Sequence, residues 1–360
     1  MTGVQTCALP IYESGYQRLD QALHQLGVQN TLFYLSTPPG MYSTIVENLG
    51  KSQLESCRQG WRRIVVEKPF GRDLESARVL DDQLHSVFKE DQIYRMDHYL
   101  GKETVQNIQA FRFGNGIFEP LWNRKYVDHI QITMAEDEGV GTRAGYYDQA
   151  GVVRDVFQNH LLQLMALTAM EAPAVFNAKA VRDEKVKVLK SIAEIKGQTA
   201  LENTIRAQYV SGTIDSKRVP SYRDEPNVAP DSTTETYMAA RLFINNWRWA
   251  GVPFYLRSGK RLPRRLTEIA IQFTQVPLAL FGQRNLAGDA PNVLVLRIQP
   301  DEGITLYLGA KSPGSVMQIE PVQMKFDYAD AFPGDPPEAY ERLLLDSLLG
   351  DATLFTRSDE

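Results

Sequence analysis

The segment from Arg95 to Lys102 (RMDHYLGK) carries the densest group of side chains that could do chemistry. The carboxyl group of Asp97 is followed at once by an imidazole and a phenol, and the ammonium group of Lys102 comes four residues after His98. A helix that begins near Tyr99 would place His98 and Lys102 on one side, as a donor cluster fit for a phosphate. The alternative for this motif alone is an ordinary helix start with Asp97 as its N-cap.

A second polar group directly precedes a long apolar stretch. Asp155, Asn159 and His160 stand just before LLQLMALTAM, so we expect the histidine to be at least partly buried. Burying such groups is costly unless they have partners or a purpose. Histidine is the usual general base for an alcohol proton, which makes His160 a candidate catalytic base. The alternative is a core histidine whose hydrogen bonds are satisfied.

Two cationic segments complete the candidates. Five cations lie between Arg257 and Arg265, after an apolar strand and a Ser-Gly turn. Alone this run is typical of a solvated loop, but it becomes a candidate anion site if a phosphate ligand is indicated elsewhere. Lys68 stands in the sequence EKPFG at the end of a buried strand, where Pro69 fixes the backbone and allows a cis bond that aims the lysine into a crevice. The alternative is a plain strand-ending turn.

The elements around these motifs indicate a parallel sheet in the first hundred residues. Apolar runs and helical spacing alternate there. The predicted order is helix 16–26, strand 31–36, helix 43–50, strand 61–66, a helix to 88 with Asp73 as N-cap, and strand 92–95. Strands that alternate with helices imply βαβ units and the doubly wound class, which binds ligands beyond the carboxyl ends of its strands.

The pattern changes after about residue 100. Period-two alternation predicts strands of one large, mainly antiparallel sheet with helices on one face, at 127–134, 268–274, 292–299, 304–311 and 317–326. Helices are predicted at 149–170 and 233–247, and loops at 219–231 and 332–337. This second part is therefore expected to be α+β.

Composition limits the function further. The 360 residues are 43% hydrophobic, enough for two cores, and the formal net charge is -5, which argues against a nucleic-acid partner. No apolar run approaches the length of a membrane span. The two cysteines form no metal-ligand or disulfide pattern, so we expect a reducing cytoplasm and no catalytic metal.

Four motifs in order carry a resemblance to a known family: VEKPFGRDL, RMDHYLGKE, RAGYYDQAG with RDVFQNHLLQ, and PFYLRSGKRL. Together they resemble the glucose-6-phosphate dehydrogenases, from about Thr31 to the C-terminus. The resemblance implies a Rossmann-type cofactor domain followed by an α+β substrate domain. It also implies oxidation of β-D-glucose 6-phosphate at C1 to the lactone, the first oxidative step of the pentose phosphate pathway, with hydride transfer to NADP or, alternatively, NAD.

The resemblance assigns roles by position. His160 matches the general base for the C1 hydroxyl, and Asp97 matches the carboxylate that orients it. The matches to phosphate-binding positions are His98, Tyr99, Lys102 and Arg265. The matches to positions that hold sugar hydroxyls are Glu136, Asp155 and Lys260. The matches to cofactor contacts are Lys68 and Tyr42. The family also implies a homodimer or homotetramer formed through the large sheet, without a nucleic-acid or membrane partner.

One departure from the family concerns the start of the chain. The family opens with a glycine-rich turn that receives the cofactor's pyrophosphate, and no such fingerprint precedes the strand at Thr31. We therefore expect the first two βαβ units to be missing, residues 1–12 to be foreign, and the C-terminal end to be incomplete. The expected domains are the remaining part of the dinucleotide-binding domain, 13–97, and a substrate and dimerisation domain, 98–360.

Two alternatives stay open. A sugar dehydrogenase of the glucose-fructose oxidoreductase type also has an EKP motif, but it acts on unphosphorylated sugars, and the basic cluster argues against it. The other alternative is a sugar-phosphate-binding subunit, a pseudoenzyme or an inactive fragment. A pseudoenzyme is expected to lose the catalytic pair first, and both Asp97 and His160 are present.

Overall fold

A computed structural model describes residues 12–214, 216–278, 291–332, 334 and 337–360. The predicted foreign segment 1–12 therefore lies outside the described residues except for Tyr12, and the predicted loop 332–337 lies partly outside them. Among the described residues, no helix combines the length and the apolar character needed to cross a membrane.

The secondary structure follows the chain in this order. The α-helices of the described part are α1 (Glu13–Gln25), α2 (Tyr42–Lys51), α3 (Leu74–His85), α4 (Glu103–Gly114), α5 (Ala144–Val152), α6 (Leu162–Ala169), α7 (Ala178–Lys190), α8 (Gln198–Asn203), α9 (Tyr328–Ala331) and α10 (Ala339–Leu349). The strands are β1 (Thr31–Leu35), β2 (Arg62–Val66), β3 (Ile93–Arg95), β4 (Val127–Ala135), β5 (Thr204–Ala207), β6 (Gly212–Ile214), β7 (Lys217–Val219), β8 (Tyr237–Phe243), β9 (Pro253–Gly259), β10 (Leu266–Phe273), β11 (Val293–Gln299), β12 (Gly303–Lys311) and β13 (Ile319–Asp327). A π-helix, Val153–Leu161, joins α5 to α6.

The chain forms two compact units. Unit 1 contains the chain up to Gly101 together with 175–182 and 338–360, and unit 2 contains 102–174 and 183–337. This division differs from the expected domains 13–97 and 98–360, because the C-terminal helix belongs to the first unit.

Unit 1 is built on a parallel sheet of three strands in the order β1-β2-β3, as the alternation of strands and helices predicts. The N-cap of α3 is also confirmed, since the carboxylate of Asp73 accepts a hydrogen bond from the backbone N–H of Ser76 at 2.8 Å. Helix α3 ends at His85, three residues before the predicted end.

Alternate residues of β2 and β3 enter two different cores. Ile64 and Val66 pack among the side chains of α1, α2 and α3. Val65 and Tyr94 point the other way and pack with Leu343 of α10 and with Phe355, whose ring meets that of Tyr94 edge-on at 4.8 Å. Both faces of a parallel sheet need apolar cover. Because α10 supplies the second cover, the C-terminal segment folds with unit 1.

Unit 2 is built on an eight-stranded sheet in the order β13-β12-β11-β10-β4-β9-β8-β5. Neighbouring strands are antiparallel except β4 and β9, which run parallel, so the predicted mainly antiparallel sheet is confirmed. The π-helix contacts β4 and β9, and α4 contacts β11. The five predicted strands of this sheet differ from the observed ones by at most two residues at either end.

The predicted helix at 233–247 is wrong, because this stretch contains strand β8. Met238, Ala240 and Leu242 are buried, whereas Ala239 and Arg241 between them are more exposed. This is the period of two that a half-buried strand requires. The apolar content of the stretch suggested a helix, but the spacing of its buried residues is that of a sheet.

Candidate active site

In unit 1, candidate residues follow the carboxyl ends of β2 and β3. Lys68 comes two residues after β2 and is half-buried, and its bond to Pro69 is cis, as the proline allowed. Tyr42 opens α2, and its hydroxyl donates to the backbone carbonyl of Glu67 at 3.2 Å. The same Glu67 accepts a hydrogen bond from the hydroxyl of Tyr34 at 2.6 Å through its carboxylate. The strand-ending turn at Lys68 is thus tied to two tyrosines.

The residues after β3 form a turn, so the predicted helix start near Tyr99 is wrong. The carboxylate of Asp97 accepts the backbone N–H of Tyr99 at 2.9 Å, and α4 begins only at Glu103 with Lys102 at its N-cap position. Gly101 allows the chain to pass close to α10, since a Cβ there would lie 2.6 Å from the carbonyl oxygen of Ala339. His98 and Lys102 are therefore separated by a turn and do not share a helix face.

Aromatic contacts hold His98 in place within unit 1. Its ring stacks on that of Tyr340 with centroids 5.9 Å apart and planes 9° apart, and the Tyr99 ring lies edge-on at 5.0 Å. Asp97 and Tyr99 are buried, and His98 is half-buried. Tyr340, which stands in α10 far along the chain, was not predicted.

In unit 2, Lys102 lies close to a second predicted cation. Its Nζ donates to the side-chain oxygen of Gln299 at 3.0 Å. Burial lowers the pKa of Lys102; the carboxylate of Glu302 opposes this effect and the guanidinium of Arg265 adds to it. Two cations that repel each other in a partly buried place are suited to an anion. Neither Gln299 nor Glu302 was predicted.

The pair Lys260 and Glu136 follows from the register of two parallel strands. Ala135 at the end of β4 pairs with Gly259 at the end of β9, so the next residue of each strand emerges at the same edge. The Nζ of Lys260 lies 2.8 Å from a carboxylate oxygen of Glu136. The backbone N–H of Glu136 also donates to the carbonyl of Gly259 at 3.0 Å. This geometry brings together two residues expected to hold sugar hydroxyls.

Asp155 and His160 both lie in the π-helix and are both buried, with 6% and 3% of their surface exposed. In an α-helix, residues five apart face different directions, whereas the i to i+5 register of a π-helix brings them toward one side. The break before it occurs at Gly151, whose φ of 67° is left-handed. The predicted burial of His160 is confirmed.

Two adjacent tyrosines of α5, Tyr146 and Tyr147, were not among the predicted site residues. Burial, together with the carboxylate of Asp155, raises the pKa of Tyr146 to about 12. Tyr147 is buried, and the Nζ of Lys260 lies 5.2 Å from its ring centroid. The only signal in the sequence was the position of this pair ahead of Asp155.

Comparisons with known proteins agree with this arrangement. The family model "Glucose-6-phosphate dehydrogenase, NAD binding domain" matches residues 3–107, and "Glucose-6-phosphate dehydrogenase, C-terminal domain" matches 109–360. The glucose-6-phosphate 1-dehydrogenase of Aggregatibacter actinomycetemcomitans is 54% identical over 92% of this chain and 66% of its own length. The Bacillus subtilis (strain 168) protein of the same name is 49% identical over 96% of this chain and 71% of its own length.

Two solved structures are also similar. A glucose-6-phosphate dehydrogenase in complex with its substrate glucose-6-phosphate is 38% identical, with a TM-score of 0.88 over 98% of this chain and 72% of that one. The glucose-6-phosphate 1-dehydrogenase from Mycobacterium avium is 41% identical, with a TM-score of 0.82 over 97% and 70%.

The chain spans about two thirds of the length of the curated relatives it matches. The matches cover both units and support the predicted resemblance over the glucose-fructose oxidoreductase type. This chain belongs to the glucose-6-phosphate dehydrogenase family.

Proposed function

We propose that this chain binds β-D-glucose 6-phosphate and carries the catalytic residues that oxidise it at C1 to 6-phospho-D-glucono-1,5-lactone. The observation that carries the proposal is the side-chain set of unit 2. There a cationic pair, Lys102 and Arg265, accompanies a carboxylate–ammonium pair, Glu136 and Lys260. A sugar phosphate needs both kinds of group, because its phosphate is an anion and its hydroxyls donate and accept hydrogen bonds. Relatives over most of the chain are named for this activity.

The proposed chemical step is removal of the C1 hydroxyl proton as hydride leaves C1. His160 accepts the proton on an imidazole nitrogen, and its burial keeps water away from that nitrogen. Asp97 orients the imidazole and stabilises its charged form. The hydroxyl oxygen loses its proton and C1 loses its hydrogen as hydride, and the C1–O single bond becomes the carbonyl of the lactone.

The remaining residues are proposed to bind and orient. The residues proposed to bind the phosphate are His98, Tyr99, Lys102 and Arg265. The residues proposed to bind the sugar hydroxyls are Glu136, Asp155 and Lys260. The charge-assisted contacts to phosphate fix one end of the sugar, so that C1 reaches the base at the other end.

For the cofactor, the described residues fit only part of a dinucleotide. Lys68 and Tyr42 stand at the carboxyl edge of the parallel sheet, where this fold class binds nucleotides, and their turn is held by hydrogen bonds to Glu67. A glycine-rich strand-to-helix turn for the pyrophosphate is absent from the described part of unit 1. The match to an NAD binding domain supports a nicotinamide cofactor, whose bound ring supplies the hydride acceptor, and we propose NADP, with NAD as the alternative.

The test compares three ligands by titration calorimetry on the 360-residue chain: glucose 6-phosphate, glucose and inorganic phosphate. Glucose 6-phosphate should bind most tightly, and Lys102→Ala should weaken it about ten- to a hundredfold. Glucose binding should be unaffected by that change. Equal affinity of the parent chain for glucose and glucose 6-phosphate would remove the phosphate site and with it the proposal.

We also propose that copies associate through the large sheet and that the protein is cytoplasmic. The support for association is a stripe of apolar side chains on one face of β12 and β13, where Leu306 pairs with Met324 and Leu308 with Val322. Met324 is 66% exposed and Val322 40%. Sedimentation should show the double change Val322→Glu, Met324→Glu shifting the chain toward monomer, whereas Lys217→Glu on exposed β7 leaves its mass unchanged.

A further inference from the structure

Tyr147 presents a hydroxyl whose role the reaction above does not explain. The side chain is 2% exposed, and its hydroxyl has no hydrogen-bond partner among the residues that the structure describes. Buried hydroxyls normally have a hydrogen-bond partner, because a hydroxyl that loses its hydrogen bonds to water and gains none in the protein destabilises the fold. The group therefore carries a donor that none of the described residues accepts from.

The neighbours of this tyrosine are the residues proposed to hold sugar hydroxyls. The Nζ of Lys260 lies 5.2 Å from its ring centroid and 2.8 Å from the carboxylate of Glu136. The contact with the ring is a cation–π interaction, so the ring and the carboxylate hold the ammonium group from two directions. Tyr147 thus belongs to the same cluster as Lys260 and Glu136.

The backbone at this point is fixed. The next residue, Asp148, accepts a hydrogen bond from the hydroxyl of Tyr222 at 2.8 Å, and its carbonyl accepts one from Thr234 at 2.7 Å. The Tyr222 ring lies edge-on to that of Tyr147 with centroids 6.2 Å apart. Packing on this side prevents the phenol from swinging out to find water.

The charges around the phenol keep it a donor. Burial raises the pKa of Tyr147 well above its ordinary value, and the carboxylates of Asp155 and Glu136 raise it further. A phenol beside two carboxylates stays protonated, and a protonated phenol can donate to a hydroxyl oxygen.

We propose that Tyr147 is a further substrate-binding residue, whose hydroxyl donates a hydrogen bond to a ring hydroxyl of the sugar held by Glu136, Asp155 and Lys260. This inference rests on the proposed function, since it assumes a sugar phosphate at that cluster. It makes Tyr147 a determinant of sugar specificity, while the phosphate is recognised elsewhere.

The test is Tyr147→Phe, which keeps the ring over Lys260 and removes only the hydroxyl. By calorimetry on the 360-residue chain, the affinity for glucose 6-phosphate should fall about three- to tenfold, the range for one neutral hydrogen bond, with inorganic phosphate binding unchanged. Among the monodeoxy analogues of glucose 6-phosphate, the one that lacks the contacted hydroxyl should bind parent and variant equally. Tyr307→Phe, the same change at a tyrosine 43% exposed on β12, is the matched control and should alter nothing.

A second measurement separates ligand binding from a structural role. Removing an unsatisfied buried hydroxyl should leave the melting temperature of the ligand-free chain unchanged or raise it. A lowered melting temperature, equal losses for glucose 6-phosphate and inorganic phosphate, or unchanged glucose 6-phosphate affinity would each overturn the inference. If Lys102→Ala weakens glucose 6-phosphate binding while Tyr147→Phe does not, only the inference fails; if the parent chain does not bind glucose 6-phosphate, the proposed function fails with it.

Discussion

The two predicted lysines of unit 2 have different partners. Lys260 faces the carboxylate of Glu136, which compensates its charge in the ligand-free chain. Lys102 has the neutral amide of Gln299 as its hydrogen-bond acceptor, and burial lowers its pKa. The surroundings of Lys102 therefore lower its pKa, although the carboxylate of Glu302 opposes this effect.

The lowered pKa of Lys102 gives a prediction for pH. Phosphate binding favours the charged ammonium group, so affinity for glucose 6-phosphate should be complete below the pKa of Lys102 and fall as pH rises through it. Because that pKa is below the ordinary lysine value, the fall should begin at lower pH than for an exposed lysine. Lys102→Arg keeps the charge and should move the fall to higher pH in calorimetric titrations. An unchanged pH profile in this variant would assign the titration to another group.

His160→Asn tests the proposed base, in a chimaera that joins this chain to the N- and C-terminal segments of the Bacillus subtilis relative. The amide can hydrogen-bond but cannot accept a proton, so kcat should fall about a hundred- to ten-thousandfold with glucose 6-phosphate affinity within a few-fold. Gln158→Ala, exposed on the same π-helix, should keep kcat. A His160→Asn variant with more than a tenth of the parent kcat would show that another group takes the proton.

At the level of single residues, His160 was proposed from its place before an apolar run, whereas Glu136 was assigned by the family resemblance alone. Glu136 and Lys260 meet because β4 and β9 end together, and His160 is buried because an apolar run follows it. Gln299 gave no local signal, because its partner Lys102 lies 197 residues earlier in the sequence. Tyr147 stood close to Asp155 in the sequence, but nothing local indicated its contact with Lys260.

Among the elements, α6 directly continues the π-helix that carries His160, and buried side chains anchor the C-terminal end of α6. Arg112 donates through one nitrogen to the carbonyls of Leu167, Thr168 and Met170, at 3.2, 3.0 and 2.8 Å. Trp122 also donates to the carbonyl of Thr168, at 2.7 Å. The last carbonyls of a helix lack partners within it, so these donors satisfy groups that would otherwise be buried without a hydrogen bond.

Removing this anchor should destabilise unit 2. Burial lowers the pKa of Arg112 to about 10, so it is charged at neutral pH, and Glu119 is its ion-pair partner at 3.1 Å. Arg112→Ala removes the side-chain donor to the carbonyls of Leu167 and Met170, while Thr168 keeps Trp122 and Glu119 keeps Arg248. In urea unfolding it should cost about 1 to 3 kcal/mol for each carbonyl left without a partner. The exposed Arg218 on β7 is the matched control, and Arg218→Ala should stay within about 0.5 kcal/mol. A similar small effect at Arg112 would mean that water replaces its hydrogen bonds.

Helices and strands whose apolar residues follow one clear spacing were predicted well. Those whose residues suit both a helix and a strand were not. The strands of the parallel sheet, and β4, β10, β11, β12 and β13 of the large sheet, followed from apolar runs and alternation. Strand β8 was taken for a helix because Ala239 and Ala240 suit a helix locally, and its place between β5 and β9 is set by tertiary pairing. The start of α4 was placed too early. The side chain of Asp97 closes a turn by accepting the backbone N–H of Tyr99, and in the sequence such an aspartate resembles a helix N-cap.

For the whole molecule, we predict weak cofactor binding from the turns that follow the described strands of the parallel sheet. Nucleotide affinity in this fold class comes largely from pyrophosphate held at a glycine-rich first βα turn. The described turns after β1 and β2 lead to α2 and α3 without such a motif. We therefore expect calorimetry to show negligible NADP or NAD binding by the 360-residue chain at millimolar concentration, while glucose 6-phosphate still binds. Tight dinucleotide binding would show that another segment receives the pyrophosphate.

The return of residues 338–360 to unit 1 has a consequence for how the protein is made. A ribosome releases β2 and β3 early, but Leu343 and Phe355, which cover Val65 and Tyr94, emerge only after all of unit 2. Domains usually fold in the order in which they are synthesised. Here unit 2 can finish folding first, while unit 1 keeps an uncovered apolar face until residues 338–360 have been synthesised. That interval is when a nascent chain of this protein most needs a chaperone.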